Sequence, residues 1–261
     1  IRSYPLLPGL NWALDRAALE AALTPRTRAI VLVNPNNPTG SYVHHEDWLY
    51  LTQTAAARRL ALISDEVFFD YRLQPATPRL FALNLPGEAL TFTLSGLSKI
   101  AALPQMKLGW IHVGGPPALV REACARLEWI ADAYLPVSAP VLYAAPAWLR
   151  LAERIQPTIL GRCRASLAAF QAELHGEVRV IPPEAGWTAL IQGPRTVDGE
   201  ELALRLLELH GILVQPGYFY DLPPDGYLAL SLLTPPGAAR PAAAWIREIW
   251  SSASDFPPAS R

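Results

Sequence analysis

The 261-residue chain holds two lysines, Lys99 and Lys107, both inside the segment SGLSKIAALPQMKLGW, and the other 20 basic residues are arginine. A lysine that follows a buried strand is costly if it stays charged and unpaired. It either meets an anion or serves as a nucleophilic amine with a lowered pKa. An amine can condense with an aldehyde to give a Schiff base, whereas arginine stays protonated and cannot. That chemistry accounts for one lysine in a chain that otherwise uses arginine for its cations. Two more polar residues directly follow apolar runs, Asn34 after RAIVLV and Asp65 after LALIS. An amide, a carboxylate and an amine along one sheet edge match what a pyridine aldehyde requires.

The elements that must position these groups are legible from hydrophobic pattern. RAIVLV, LALIS, ALTFTLS and LGWIHV are short, continuous apolar runs, as expected of strands buried on both faces. Helical spacing over 15–23 and 45–59 alternates with them, which predicts a mostly parallel α/β sheet. In such sheets ligands gather outside the carboxyl ends of the strands, where Asn34, Asp65 and the loop Ser95–Lys99 fall. NPNNPTG (34–40) is a loop on composition alone. Beyond Gly114 the pattern changes. Helices are expected over 116–133 and 146–174. Short strands are expected at 178–181, 187–191, 212–215 and 227–232, with helices at 199–210 and 238–250. This reads as a smaller α+β domain. The expected division is 1–140, then 141–250 with a linking helix, then a disordered tail over 251–261.

Composition narrows the function class. Charged residues make up 17% of the chain and hydrophobic residues 51%, against roughly 25% charged in ordinary globular proteins. The deficit points to extensive burial in the fold or in a subunit interface. A net charge of -1 gives no electrostatic case for nucleic acid or an anionic membrane. No apolar run approaches the ~18 residues of a membrane span, and nothing at the N-terminus reads as a signal peptide. Cys124 and Cys163 are too few for a disulfide framework and are expected to be buried free thiols in a cytoplasmic protein. The five histidines show no metal-ligand spacing, and His44 and His45 are expected at a solvated helix start.

Taken in order, NPNNPTG, SDEVFFDY, SGLSK and PQMKLGW resemble the motifs of the fold-type-I pyridoxal-phosphate enzymes, specifically the class I/II aminotransferases, from about Tyr4 to Trp250. The resemblance implies the second half of that fold's large domain, a mostly parallel sheet with helices on both faces, followed by a small C-terminal α+β domain. It implies pyridoxal 5'-phosphate held as a Schiff base on Lys99, whose freed amine then moves the substrate Cα proton. Asp65 would pair with the pyridine N–H and Asn34 would donate to the phenolic oxygen. Ser95, Ser98 and Lys107 would lie near the phosphate. The implied activity is amino-group transfer between an amino acid or amine and a keto acid, in a homodimer. Relatives carry a long region before the part that corresponds to Ile1, so the chain is expected to be the C-terminal portion of a longer enzyme.

Three positions depart from the family pattern. Phe68 stands where most relatives have a tyrosine that donates to the phenolic oxygen. Loss of that donor is expected to raise the pKa of the Schiff base, unless Tyr71 takes its place. Lys107 replaces a phosphate-binding arginine, keeping the charge without the two-pronged geometry. In YLALS (227–231), Ala229 replaces the arginine that clamps the substrate carboxylate, which leaves substrate identity open. The motifs around Lys99 also suit a pyridoxal-phosphate-dependent carbon–sulfur β-lyase. The aminotransferase-like sensing domain of a transcription regulator and an inactive remnant are further alternatives.

Overall fold

The computed structural model describes residues 1–75, 82, 87–195 and 198–252. The chain forms two compact units, one of Ile1–Asn36 with Ser41–Gln156, the other of Asn37–Gly40 with the chain from Pro157 onward. The expected tail over 251–261 is helical at its first two residues, and 253–261 lie outside the described residues.

In the first unit a small antiparallel hairpin, β1 (Leu6–Leu7) and β2 (Ala13–Leu14), precedes α1 (Arg16–Ala22). The sequence pattern gave no sign of this hairpin, because two-residue strands carry no periodicity. Strands β3 (Ala29–Val33), β4 (Ala61–Asp65), β5 (Leu90–Gly96) and β6 (Gly109–Gly114) form one sheet in that order. The pairs β3–β4 and β4–β5 are parallel, and β6 runs antiparallel to β5. Helix α2 (His45–Arg58) connects β3 to β4. It stops at Arg59 in the left-handed region, φ 55°, after which the Leu60 N–H returns to the Ala55 carbonyl at 2.8 Å. That closure satisfies carbonyls the helix end leaves unpaired.

The core gathers Leu19 of α1, Trp48, Leu51 and Ala55 of α2, and Ile30, Leu32 and Leu62 from the sheet. The apolar run of β3 is therefore not buried on both faces. Ile30 and Leu32 are interior while Val31 between them is 58% exposed, because α1 and α2 pack on the same side. Asp47 ties the hairpin to α2. It is buried, accepts the Leu14 N–H at 2.9 Å, and takes both Nε and Nη2 of Arg16 at 3.1 and 2.9 Å.

Helices α3 (Leu97–Ile100) and α4 (Pro117–Ala133) follow β5 and β6, and α5 (Ala139–Glu173) carries the chain into the second unit. Helix α5 begins earlier than position 146, where its pattern predicts the start, and both Pro140 and Pro146 lie inside it. The second unit holds an antiparallel sheet in the order β7 (Arg179–Ile181), β8 (Thr188–Gln192), β10 (Tyr227–Ser231), β9 (Gln215–Pro216). Helix α6 (Gly199–His210) is capped by Asp198, which accepts from the Glu200 N–H at 2.7 Å, as an N-cap should. Helix α7 (Pro236–Ser252) closes the unit. Cys163 is buried, but Cys124 is exposed, against expectation: it lies on α4, where of the helix's residues Ala123 alone is buried.

Replacing Asp47 by alanine strands a buried amide and frees Arg16. Urea denaturation should show a loss of about 2–4 kcal/mol.

Candidate active site

The register of the first sheet sets the site. Val33, Asp65 and Leu94 lie opposite one another across β3, β4 and β5. The ladder continues past the strand ends, with the Asn34 N–H on the Asp65 carbonyl at 2.8 Å and the Glu66 N–H on the Leu94 carbonyl at 2.9 Å. The backbone of Asn34, Asp65 and Glu66 is thus fixed by sheet hydrogen bonds, where loops are usually free to vary.

Asn34 is completely buried; its Oδ1 accepts the Val43 N–H at 3.0 Å and its Nδ2 faces Glu66 Oε1 at 3.4 Å. Asp65 is half-buried, and its Oδ1 accepts the Val67 N–H at 3.1 Å. Among the described residues nothing donates to its Oδ2. One carboxylate oxygen therefore holds the turn and the other suits a ring N–H.

The turn after β4 is anchored from below. Phe69 and Tyr71 are buried, and the Tyr42 hydroxyl donates to the Phe69 carbonyl at 2.9 Å. Successive bonds from the Phe69 N–H to Glu66 and from the Tyr71 N–H to Phe68 close the turn. Phe68, left half-buried, turns its ring to Lys99, whose Nζ stands 5.1 Å from the ring centre, within cation–π range. The Tyr71 hydroxyl donates to the Lys99 carbonyl at 2.5 Å. Tyr71 thereby positions the lysine's backbone.

On the lysine side, β5 ends at Gly96, where a Cβ would stand 2.8 Å from the Leu108 carbonyl oxygen. That closeness lets the Leu97 N–H reach the Leu108 carbonyl at 3.0 Å. Leu97 and Ala101 then pack with Ala152, Met106 and Trp148. Helix α3 is four residues long, and one side of it is held by this cluster while Lys99 is held by Phe68 and Tyr71. Ser95, opposite Trp110 in the sheet, and Ser98 are half-buried. Among the described residues neither hydroxyl has a partner. Lys107 is exposed, in the left-handed region at φ 53°, and no described residue forms an ion pair with it. The structure thus draws Lys99 to the turn that follows Asp65, and gives Lys107 no such contact. Ala229 lies in β10 of the second unit at 1% exposure, opposite Leu190 and Gln215.

Sequence reasoning passed over Glu66. Alternation along β4 turns Asp65 and Glu66 to opposite faces, so the second acid of SDEV points inward and is 3% exposed. Its Oε1 accepts from the Ala82 N–H at 2.9 Å and Ser64 Oγ at 3.0 Å besides Asn34. Its Oε2 has no hydrogen-bond partner among the described residues. Burial pushes the carboxyl above its usual 4.5, and the nearby Asp65 charge adds to this. The bonds from Ala82, Ser64 and Asn34 oppose the rise. The available signal was the acidic pair itself at a strand end, one member of which had to face the core.

Among the described residues no group of acids, histidines or cysteines could hold a metal ion, and no helix is long and apolar enough to cross a membrane. An α/β unit whose parallel strands deliver an amide, a carboxylate and an amine to adjoining exits places them where such sheets gather ligands. The family model for class I and II aminotransferases matches residues 1–238, and the chain belongs to that family. Members are generally pyridoxal-phosphate-dependent and use amino-acid and keto-acid substrates. The chain is 29% identical over 231 residues to the alanine aminotransferase of Mycobacterium tuberculosis, covering 85% of this chain and 54% of that protein. It is 33% identical over 116 residues to the S-alkyl-thiohydroximate lyase SUR1 of Arabidopsis thaliana, covering 44% of this chain and 25% of that protein. The solved alanine aminotransferase of Pyrococcus furiosus superposes with a TM-score of 0.83 at 21% identity, over 95% of this chain and 64% of that one. The fold is therefore that of the fold-type-I aminotransferases, and the chain spans about half the length of the alanine aminotransferase it matches.

A raised carboxyl pKa in the native state means that Glu66 favours folding below pH 4.5 and progressively disfavours it as pH rises through the native value. Glu66→Gln removes that dependence. Its stability relative to wild type, from urea denaturation, should therefore rise as pH increases above about 4.5; a relative stability that stays level or falls would contradict the raised pKa.

Proposed function

We propose that the protein is a pyridoxal-phosphate-dependent aminotransferase with Lys99 as its catalytic amine. The observation that carries this reading is the convergence on the β4 exit: Lys99 is held by Phe68 and Tyr71 to the turn that Asp65 begins, and Asn34 is bonded to Asp65 through the sheet. The residues present fit the cofactor. Asp65 offers a carboxylate oxygen to the pyridine nitrogen and holds a proton there. Asn34, whose Oδ1 accepts the Val43 N–H, offers an N–H edge to the phenolic oxygen. Phe68 supplies no donor to that oxygen. Ser95 and Ser98 offer hydroxyls and Lys107 a charge to the phosphate. When bound, the cofactor supplies the covalent carbonyl and the electron sink that amino-group transfer requires. Lys99 holds it covalently, then, as a free amine, carries the proton to and from the substrate Cα.

The partners are an amino donor and a keto-acid acceptor. A homodimer is the assembly typical of the family. A cytoplasmic location is supported by two free cysteines in place of a disulfide. A second reading, a carbon–sulfur lyase, is favoured by the similarity to the S-alkyl-thiohydroximate lyase SUR1.

Borohydride reduction of the loaded complete protein should trap the cofactor on the wild type and leave none on Lys99→Ala; covalent trapping in that variant would remove Lys99 from this role. Product analysis separates the two readings. A keto acid that forms only with an amino acceptor present marks transfer, and release of ammonia with cleavage of a carbon–sulfur bond marks the lyase.

A further inference from the structure

Glu66 is a buried ionisable group of the first unit that the chemistry above does not use. Its one described side-chain partner on the cofactor side is Asn34, and that contact is long, at 3.4 Å, so little of its effect is bond strength. Its effect is on orientation. The Asn34 Oδ1 is already committed to the Val43 N–H. Turning the amide over would set Nδ2 against that N–H and Oδ1 against Glu66 Oε1, donor on donor and acceptor on acceptor. Glu66 Oε1 is in turn fixed by the Ala82 N–H and Ser64 Oγ, both within 3.0 Å, so it cannot swing aside.

We propose that Glu66 is a positioning residue that locks the amide of Asn34 with its N–H edge toward the cofactor oxygen, and thereby sets the basicity of the Lys99–cofactor linkage. The proposal rests on the cofactor reading of Asn34. Without Glu66 the Val43 N–H alone opposes the flipped state, which becomes more populated and sets a carbonyl lone pair against an anionic oxygen. That disfavours the deprotonated linkage and raises its pKa. Glutamine at position 66 keeps an oxygen where Oε1 stands, so it preserves the lock; leucine removes it.

The test is a pH titration of the visible absorption of the complete protein loaded with pyridoxal phosphate. The midpoint for Glu66→Gln is expected to match the wild type, and that for Glu66→Leu to rise by about 0.5–1 pH unit. Asn34→Ala should rise comparably, and the Asn34→Ala, Glu66→Leu double variant no further, since both act through one amide. If Glu66→Leu does not fold, Glu66→Met, unbranched and closer in shape, takes its place. A Leu or Met variant that titrates with the wild type, or shifts that add in the double variant, overturns the proposal while leaving the aminotransferase reading intact. A wild-type protein that takes up no pyridoxal phosphate overturns that reading and this one with it.

Discussion

Three parallel strands hydrogen-bonded in one register, with Val33, Asp65 and Leu94 in line, are the constraint on which the first unit depends. Parallel strands leave their carboxyl ends on one side of the sheet, so whatever follows each strand arrives there together. The ladder here runs one bond beyond the strands, through the Asn34 and Glu66 amides. The polar side chains are consequently placed by backbone geometry, and a slip of one residue would turn Asp65 into the core and Glu66 out of it.

The same alternation explains why two adjacent acids have unlike surroundings. Asp65 keeps one oxygen open on the half-buried face, whereas Glu66 is enclosed with Ser64 and Asn34. Burying a carboxyl is costly unless donors meet it, and three donors converge on one oxygen while the other has none among the described residues. The raised proton affinity of Glu66 follows from that imbalance. The lysine is treated differently. Its backbone is held by Tyr71 and its amine stands over an aromatic face, so Lys99 is positioned by its carbonyl and by a ring.

Much of this was legible in the sequence. Long amphipathic helices and continuous apolar runs announce themselves through period and length, and the order of the motifs pointed to the family whose model the chain matches. The tight hairpin, the four-residue α3 and the early start of α5 were not legible. Each is decided by contacts distant in sequence, such as Asp47 on the Leu14 amide or Ala152 against Leu97. Tyr71 shows the same limit. Spacing alone left open what its hydroxyl meets, and the fold brings it to the Lys99 carbonyl.

What the sequence by itself determined was the chemical inventory and its order: one amine fit for imine chemistry, an amide and an acid each placed at the end of an apolar run, and Ala229 where an arginine is usual. These are properties of residue type and local pattern, which no packing can change. What only the tertiary structure decided was orientation, meaning which acid of the pair turns outward, which way the Asn34 amide faces and what the Tyr71 hydroxyl meets. Side-chain direction depends on strand register and on partners brought in across the sheet, and neither is written in any single stretch of the chain.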